Sequence, residues 1–285
     1  MKNFTLSIPG FTIAGKAWGN PAHPPVLALH GWLDNANSFD LLAPYLEKQL
    51  YLLAVDLPGH GLSSHLPEGC HYHFIDGLLT VLQIIKALRF KQVHLLGHSM
   101  GACLASLVAG VYPEQILSLA LIEGLGPFSK PEESCRKQLA QYFQHLSYHY
   151  KNMEAKPYPS IAAAAEARAK RGYLSVEHAE ILCQRGVHKQ NNVFYWRHDR
   201  RLLTANPLRM TEGQVLSCLK NITAKSCLIW AEGVSIFNEY DMNTRIKAVA
   251  NLTIYQLKGG HHIHMEQPEA VADYLAGFYG VNLNN

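Results

Sequence analysis

Short apolar runs alternate along this chain with longer segments in which apolar residues recur every three or four positions. An apolar run of about four to eight residues is typical of a buried strand, and the longer period is typical of a helix packed on one face. Strands that alternate with helices form a parallel sheet covered on both faces, so the pattern predicts an α/β fold. The predicted strands span residues 25–29, 51–55, 93–96, 116–122, 227–230 and 252–257, and the predicted helices span 38–48, 74–88, 99–111, 244–250 and 268–279.

Two further segments near the start of the chain, 4–8 and 11–18, alternate apolar and polar residues on either side of Pro9-Gly10. Alternation with a period of two predicts half-buried strands, and a Pro-Gly pair favours a tight turn between them. We therefore expect an antiparallel hairpin at one edge of the sheet.

The rhythm of strands and helices is interrupted between residues 127 and 211. This interval has helical periodicity and no convincing strand, which predicts a helical cap inserted into a single core made of residues 1–126 and 212–285. The insertion follows the 116–122 strand and so leaves the sheet at its carboxyl edge, where open α/β sheets bind ligands. We expect the cap to cover that edge.

Composition narrows the possible functions. With 285 residues and 48% hydrophobic content, the chain can bury a large core and is not expected to be disordered. A net charge of +3 and the absence of a long lysine or arginine run argue against a nucleic-acid partner. No apolar stretch reaches the roughly 18 residues of a membrane span and no secretory leader is visible, which predicts a cytoplasmic protein. The six cysteines form no Cys-x-x-Cys pair and are expected to be reduced.

The strongest chemical signal is the pattern Gly97-x-Ser99-x-Gly101, at the junction of a predicted strand and a predicted helix. Glycines two residues on either side of Ser99 permit a strained turn that lifts the serine hydroxyl above the sheet. The first backbone N–H groups of a helix have no partner within the helix, so the Met100 N–H can donate to an oxyanion. The pattern predicts that Ser99 is a nucleophile.

A serine hydroxyl is a weak nucleophile at neutral pH and needs a general base within hydrogen-bonding distance. Among the 16 histidines, His261 follows Gly259-Gly260 in the loop between the last predicted strand and the last predicted helix. We predict that His261 is the base, that His262 faces solvent and that His264 packs within the loop. No other cysteine, histidine or aspartate pair matches this cluster with the usual metal-ligand spacing, so no metal is expected.

Four motifs, in order and spacing, resemble the α/β-hydrolase family, and in particular its serine-hydrolase-like proteins. They are an apolar strand that ends in His30-Gly31-Trp32, the 56–63 loop, the 97–101 turn, and Gly260-His261 with Glu266 and Pro268. The resemblance covers nearly the whole chain and implies the α/β-hydrolase fold with a serine, acid and histidine triad in that chain order. It also implies that His30-Gly31 shape an oxyanion loop, in which the Trp32 N–H is a second donor beside the Met100 N–H.

The acidic residue of the triad does not have the position in this chain that is commonest in that family. In many relatives a triad aspartate follows a strand that ends in Trp-Gly, but this chain has Val234 in that place, which cannot orient a histidine. Some members, notably one branch of the haloalkane dehalogenases, carry a glutamate at the end of the preceding strand, and Glu123 occupies that place. A carboxylate at the end of a buried strand is costly unless it is paired, and contact with His261 would explain it. Glu123 is therefore the predicted acid, and the alternatives are Glu239 and Asp241, with Glu232 less favoured.

A serine nucleophile limits the reaction. Family members that open epoxides or remove halides use an aspartate at this position, and the dehalogenases follow it with a halide-binding tryptophan, so Ser99 and Met100 disfavour both activities. We expect a carboxylesterase-like serine hydrolase that needs no cofactor and acts on a small or medium apolar ester or acyl substrate. Two alternatives stay open: a carbon–carbon bond hydrolase with the same triad, and a noncatalytic protein of this fold that binds a ligand.

Overall fold

The structure is a computed structural model that describes residues 1–151, 155–171, 173–233 and 239–283, with the backbone alone at 149–151, 233 and 239–241. Its strands are β1 (Lys2–Ile8), β2 (Phe11–Trp18), β3 (Pro25–Leu29), β4 (Tyr51–Val55), β5 (Val93–His98), β6 (Ile116–Ile122), β7 (Val187–Gln190), β8 (Val193–Trp196), β9 (Lys225–Gly233) and β10 (Leu252–Gly259).

Eight of these strands form one sheet in the order β1-β2-β4-β3-β5-β6-β9-β10. From β4 to β10 every neighbouring pair is parallel, so the carboxyl ends of these strands share one edge of the sheet. The β1–β2 hairpin is antiparallel and joins the sheet through an antiparallel β2–β4 pairing. The predicted α/β fold with a hairpin at the sheet edge is confirmed.

Helices connect the strands. They are α1 (Ala43–Leu46), α2 (Asp76–Ala87), α3 (Met100–Val111), α4 (Cys135–Lys151), α5 (Ile161–Ala169), α6 (Val176–Gly186), α7 (Glu212–Leu219), α8 (Glu239–Ala248), α9 (Ile263–Glu266) and α10 (Pro268–Tyr279). Over the residues that the structure describes, none of them has both the length and the apolar character needed to cross a membrane.

The sheet is apolar on both faces because successive side chains of a strand point to opposite sides. In β3, Leu27 and Leu29 belong to one buried cluster, whereas Val26 and Ala28 belong to the other. Helices α2, α3 and α7 cover the first face, and α1 and α10 cover the second. This two-sided burial explains why the central strands have almost continuous apolar sequences.

Two local predictions were wrong. The helix expected over 38–48 is a 3-10 helix at Ala36–Phe39 followed by the short α1, because Pro44 lacks an N–H and begins a new helix instead of continuing one. The interval 127–211, in which no strand was expected, contains the antiparallel pair β7–β8. Its two-residue turn is formed by Asn191 and Asn192, whose φ angles of 50° and 63° suit the tight hairpin turns in which asparagine is favoured.

The segment 127–211, here called the inserted segment, is joined to the rest of the chain through the buried carboxylate of Asp56. This carboxylate accepts hydrogen bonds from the backbone N–H groups of Ala36 and Leu62, each at 2.8 Å, and from Arg185 Nε, 2.8 Å from its Oδ2. Arg185 lies in α6, so the pair connects the loop after β4 to the inserted segment. The side chains of Asp56 and Arg185 are both buried.

We expect Asp56→Asn to lower the free energy of unfolding by about 3–5 kcal/mol, because removing one partner of a buried ion pair leaves the other charge without compensation. Urea unfolding followed by circular dichroism measures this change. The matched control is Arg136→Met, which removes a charge from the exposed surface of α4 and should change stability by no more than about 0.5 kcal/mol. Equal effects of the two substitutions would contradict the role given to this pair.

Candidate active site

Ser99 lies in the sharp turn between β5 and α3. Its φ and ψ angles are 51° and −114°, a conformation that costs free energy for any residue with a side chain. Gly101 makes the turn possible, because a Cβ atom at this position would lie 2.1 Å from the carbonyl oxygen of Leu29 at the end of β3. The strained turn that the glycine pattern predicts is therefore present, and it holds the start of α3 against the carboxyl edge of the sheet.

His261 follows β10 and lies beside Ser99. The distance from His261 Nε2 to Ser99 Oγ is 2.9 Å, and the distance from His261 Nδ1 to Glu123 Oε2 is 3.2 Å. The ring is almost completely buried, with 5% of the residue exposed. One imidazole thus bridges the hydroxyl and the carboxylate that the sequence analysis selects.

Glu123 follows β6 and is completely buried. Its φ angle is 54°, and its backbone N–H donates to the carbonyl oxygen of Ile229 at 3.1 Å. The side chain accepts a short hydrogen bond from the Ala231 N–H through Oε1, which leaves Oε2 for His261. Two donors therefore face a carboxylate that would otherwise be costly to bury.

Of the alternative acids Glu232, Glu239 and Asp241, the structure describes the side chain of Glu232 alone. Glu232 is exposed near the end of β9. Val234 and the side chains of Glu239 and Asp241 lie outside the described residues. Among the described carboxylates, the one that accepts a hydrogen bond from the His261 ring is that of Glu123.

The residues expected to hold an oxyanion also lie near Ser99. Trp32 and Met100 line the same cavity as Ser99, and the Trp32 indole N–H donates to the Leu202 carbonyl oxygen at 3.1 Å. His30 Nδ1 donates to the carbonyl oxygen of Gly31 at 2.7 Å, while its Nε2 accepts the Leu57 N–H at 3.0 Å. Burial lowers the pKa of His30 to about 4, so the neutral ring can make both bonds and brace the loop.

The cavity above Ser99 has a volume of about 700 Å³. Its floor includes Ser99 and His261, and its walls combine core residues such as Phe74 with residues of the inserted segment such as Phe128 and Leu208. Most of this lining is apolar, as is usual for small-molecule sites. Three arginines, Arg168, Arg171 and Arg209, also line it.

A second polar cluster borders the same cavity and centres on Asp34, a residue that the sequence analysis did not select. Arg168 Nη2 lies 2.8 Å from Asp34 Oδ1, and His262 Nε2 lies 3.1 Å from Asp34 Oδ2. His98 Nδ1 lies 3.7 Å from the same Oδ2. Burial alone would raise the pKa of the Asp34 carboxyl, but its contacts with His262 and Arg168 hold it well below its usual value.

The prediction that His262 faces solvent was wrong. Only 2% of the residue is exposed, because its ring lies between Asp34 and the carbonyl oxygen of Tyr173, 3.2 Å from Nδ1. His264 is completely buried, as expected for a packing residue, and its Nε2 lies 2.8 Å from Ser38 Oγ. The sequence signal for Asp34 was weak, since a single aspartate in a loop is more often exposed than buried.

Comparison with known proteins identifies the family to which this fold belongs. The family model of the alpha/beta hydrolase fold matches residues 24–268. This chain belongs to the α/β-hydrolase family. This α/β hydrolase is similar to a serine hydrolase-like protein of Danio rerio, with 31% identity over 96% of this chain and 87% of the relative.

Two solved structures extend the similarity of this α/β hydrolase to three dimensions. A hypothetical protein from Pseudomonas aeruginosa is 35% identical, with a TM-score of 0.92 over 98% of this chain and 100% of that one. A thioesterase domain from the curacin biosynthetic pathway is 28% identical, with a TM-score of 0.83 over 96% of this chain and 98% of that one.

The strained backbone at Ser99 should lower the free energy of unfolding of any variant that keeps a Cβ atom there. We expect Ser99→Gly to be more stable than Ser99→Ala by about 1 kcal/mol, because relief of a strain of about 1–3 kcal/mol exceeds the roughly 0.5–1 kcal/mol that glycine loses in chain entropy. Both variants lack the hydroxyl, so each serves as the control for the other. Equal midpoints and slopes in urea unfolding would contradict the strain.

Buried histidines should make this α/β hydrolase sensitive to acid. Burial lowers the pKa of His30 to about 4 and that of His60 to about 3, and it lowers those of His98 and His264 well below the usual value. Histidine in an unfolded chain titrates near about pH 6.5, so below that pH the unfolded state binds more protons than the folded state. The stabilisation is complete well above about pH 6.5 and is lost as the pH falls through the folded-state pKa values, which are about 4 for His30 and about 3 for His60.

The free energy of unfolding should therefore decrease between about pH 6.5 and about pH 4 by up to about 1.4 kcal/mol per pH unit for each of these histidines. Urea unfolding at a series of pH values measures the slope, and His60→Gln should reduce it. A level profile over this range would contradict the lowered pKa values of the buried rings.

Proposed function

We propose that this α/β hydrolase is a serine hydrolase that cleaves a carboxylic ester, or a similar acyl substrate, through an acyl-Ser99 intermediate. The observation that carries the proposal is the continuous set of contacts from Ser99 Oγ to His261 and from His261 to Glu123. A hydroxyl, an imidazole and a carboxylate in this order form the arrangement that activates a serine for acyl transfer.

The proposed reaction has two halves. In the first, His261 Nε2 takes the proton of Ser99 as Oγ attacks the acyl carbon, and the protonated ring then gives that proton to the departing alcohol oxygen. In the second, His261 takes a proton from a water molecule that attacks the acyl-serine, and Ser99 Oγ leaves with the proton restored. Acid and alcohol are released, and no cofactor takes part.

Glu123 would hold His261 in the tautomer that leaves Nε2 free to accept the proton, and would stabilise the imidazolium that forms. The negative charge that develops on the acyl oxygen would be stabilised by the backbone N–H groups of Trp32 and Met100. The location of Met100 at the first position of α3 supports this role, because the N–H at a helix start has no carbonyl partner within the helix.

We further propose that the inserted segment is a cap that encloses the substrate. Its residues Phe128 and Leu208 share the cavity with Ser99, which supports an apolar acyl or alcohol group on the substrate. The similarity to a protein named as a thioesterase domain supports a reaction at an acyl group.

A fluorophosphonate ester that reacts with activated serines tests the nucleophile. We expect the wild-type protein to be labelled at Ser99, and both Ser99→Ala and His261→Ala to lose labelling, because one removes the oxygen and the other removes the base. Mass spectrometry of the labelled peptide locates the adduct. A folded wild-type protein that resists labelling would favour the noncatalytic alternative.

The acid is tested by hydrolysis of short p-nitrophenyl esters. Glu123→Gln should lower kcat by at least about a hundredfold, because the amide cannot stabilise the imidazolium of His261. Glu232→Gln is the matched control, since it makes the same chemical change at an exposed glutamate, and it should leave kcat close to wild type. Glu239→Gln and Asp241→Asn complete the comparison, and a larger loss in either would transfer the role away from Glu123.

A further inference from the structure

Three buried side chains next to the proposed triad direct electron pairs toward one point. They are Asp34, His98 and His262, and one oxygen or nitrogen of each lies within 4.8 Å of those of the other two. All three belong to the lining of the cavity above Ser99, although their side chains are almost completely buried. The triad proposed above uses none of them.

Hydrogen bonds fix which nitrogen of each ring carries a proton. His98 Nε2 lies 2.9 Å from the carbonyl oxygen of His261, and His262 Nδ1 lies 3.2 Å from the carbonyl oxygen of Tyr173. A carbonyl oxygen can only accept, so both nitrogens must be protonated. In the neutral rings, His98 Nδ1 and His262 Nε2 then carry the lone pairs, and both face Asp34 Oδ2.

Lone pairs that face a carboxylate oxygen repel it unless a positive charge lies between them. A proton on His262 Nε2 would satisfy the 3.1 Å contact with Asp34, but it would do nothing for His98. His98 Nδ1 is buried and has no hydrogen-bond partner among the described residues. One cation bound by all three atoms satisfies the whole cluster.

We propose that Asp34 Oδ2, His98 Nδ1 and His262 Nε2 bind one divalent transition metal ion of the Zn²⁺ type. Two imidazole nitrogens and one carboxylate oxygen suit Zn²⁺, Co²⁺ or Ni²⁺, whereas Ca²⁺ and Mg²⁺ require mainly oxygen ligands. Ligand bonds of about 2.0–2.2 Å in a tetrahedral site place neighbouring ligand atoms about 3.3 Å apart. The distances of 3.1 and 3.7 Å from Asp34 Oδ2 to the two nitrogens are close to this value.

The surroundings of the cluster are those of a prepared metal site. Each histidine donates its other ring N–H to a backbone carbonyl, the contact that commonly orients metal-binding histidines. Arg168 occupies Asp34 Oδ1 and leaves Oδ2 available. Because Arg168 already balances the charge of Asp34, the bound ion would carry excess positive charge, which favours water, hydroxide or an anionic group as the fourth ligand from the cavity.

Isothermal titration calorimetry of the chelator-treated full chain with Zn²⁺ tests this site without any measurement of hydrolysis. We expect one high-affinity ion per chain, and binding at least about tenfold weaker in Asp34→Asn and in His262→Gln. The control is His145→Gln, which removes an exposed histidine of the same cavity and should keep wild-type affinity. Undiminished binding in the two cluster variants would overturn the proposal and leave an adventitious ion only.

A second measurement on the wild-type protein keeps the test decisive if a cluster variant fails to fold. Nitrogen NMR of the histidine rings should show Zn²⁺ shifting the resonances of His98 Nδ1 and His262 Nε2, and Co²⁺ should give the visible absorption of a four-coordinate site. A His262 ring that stays protonated on both nitrogens in the presence of stoichiometric Zn²⁺ would overturn the proposal, because a proton would then occupy the place of the ion.

Discussion

The close approach of helix α3 to the end of strand β3 is the constraint on which the rest of the site depends. Gly101 contacts the Leu29 carbonyl at a distance that leaves no room for a Cβ atom. Because the helix begins so close to the sheet, the chain must reverse direction within one residue after β5, and Ser99 takes a left-handed φ angle. The hydroxyl is thereby exposed at the sheet edge where Glu123 follows β6 and His261 follows β10. Parallel pairing of β5, β6, β9 and β10 brings these residues together, since it aligns the carboxyl ends of the strands.

Buried charges connect the sheet to the inserted segment. Asp56 pairs with Arg185 of α6, and Asp34 pairs with Arg168 of α5, and in both pairs the carboxylate belongs to a loop that follows a central strand. A carboxylate buried alone would be too costly, so each pair requires the inserted segment to be in place. The inserted segment therefore both lines the cavity and supplies the positive charges that pair with Asp34 and Asp56. The same pairing sets the environment of His98 and His262, the residues next to Ser99 and His261.

Much of the fold could be predicted because apolar periodicity reports burial directly. The strands 25–29, 51–55 and 116–122 and the helix 268–279 have the same bounds in the structure as in the sequence analysis. The strands β7 and β8 were missed because they have four residues each, which is too short for a clear pattern of apolar and polar positions. The error over 38–48 has a similar origin, since its apolar pattern continues through Pro44 although the backbone cannot. The catalytic roles of Ser99, His261 and Glu123 stay predictions, although Ser99 Oγ and Glu123 Oε2 each lie within hydrogen-bonding distance of the His261 ring.

The amino-acid sequence by itself determined the order along the chain of the strands in the main sheet, the turn at Ser99 and the position of His261 in a loop at the carboxyl edge. These features depend on local patterns: burial along one element, the absence of a side chain at glycine, and the chemistry of serine and histidine. Only the tertiary structure decided that Glu123 contacts His261, that His262 is buried, and that Asp34 collects Arg168, His98 and His262 around one carboxylate. Those contacts join residues far apart in the chain, and their energies depend on distance and burial, which no local pattern specifies.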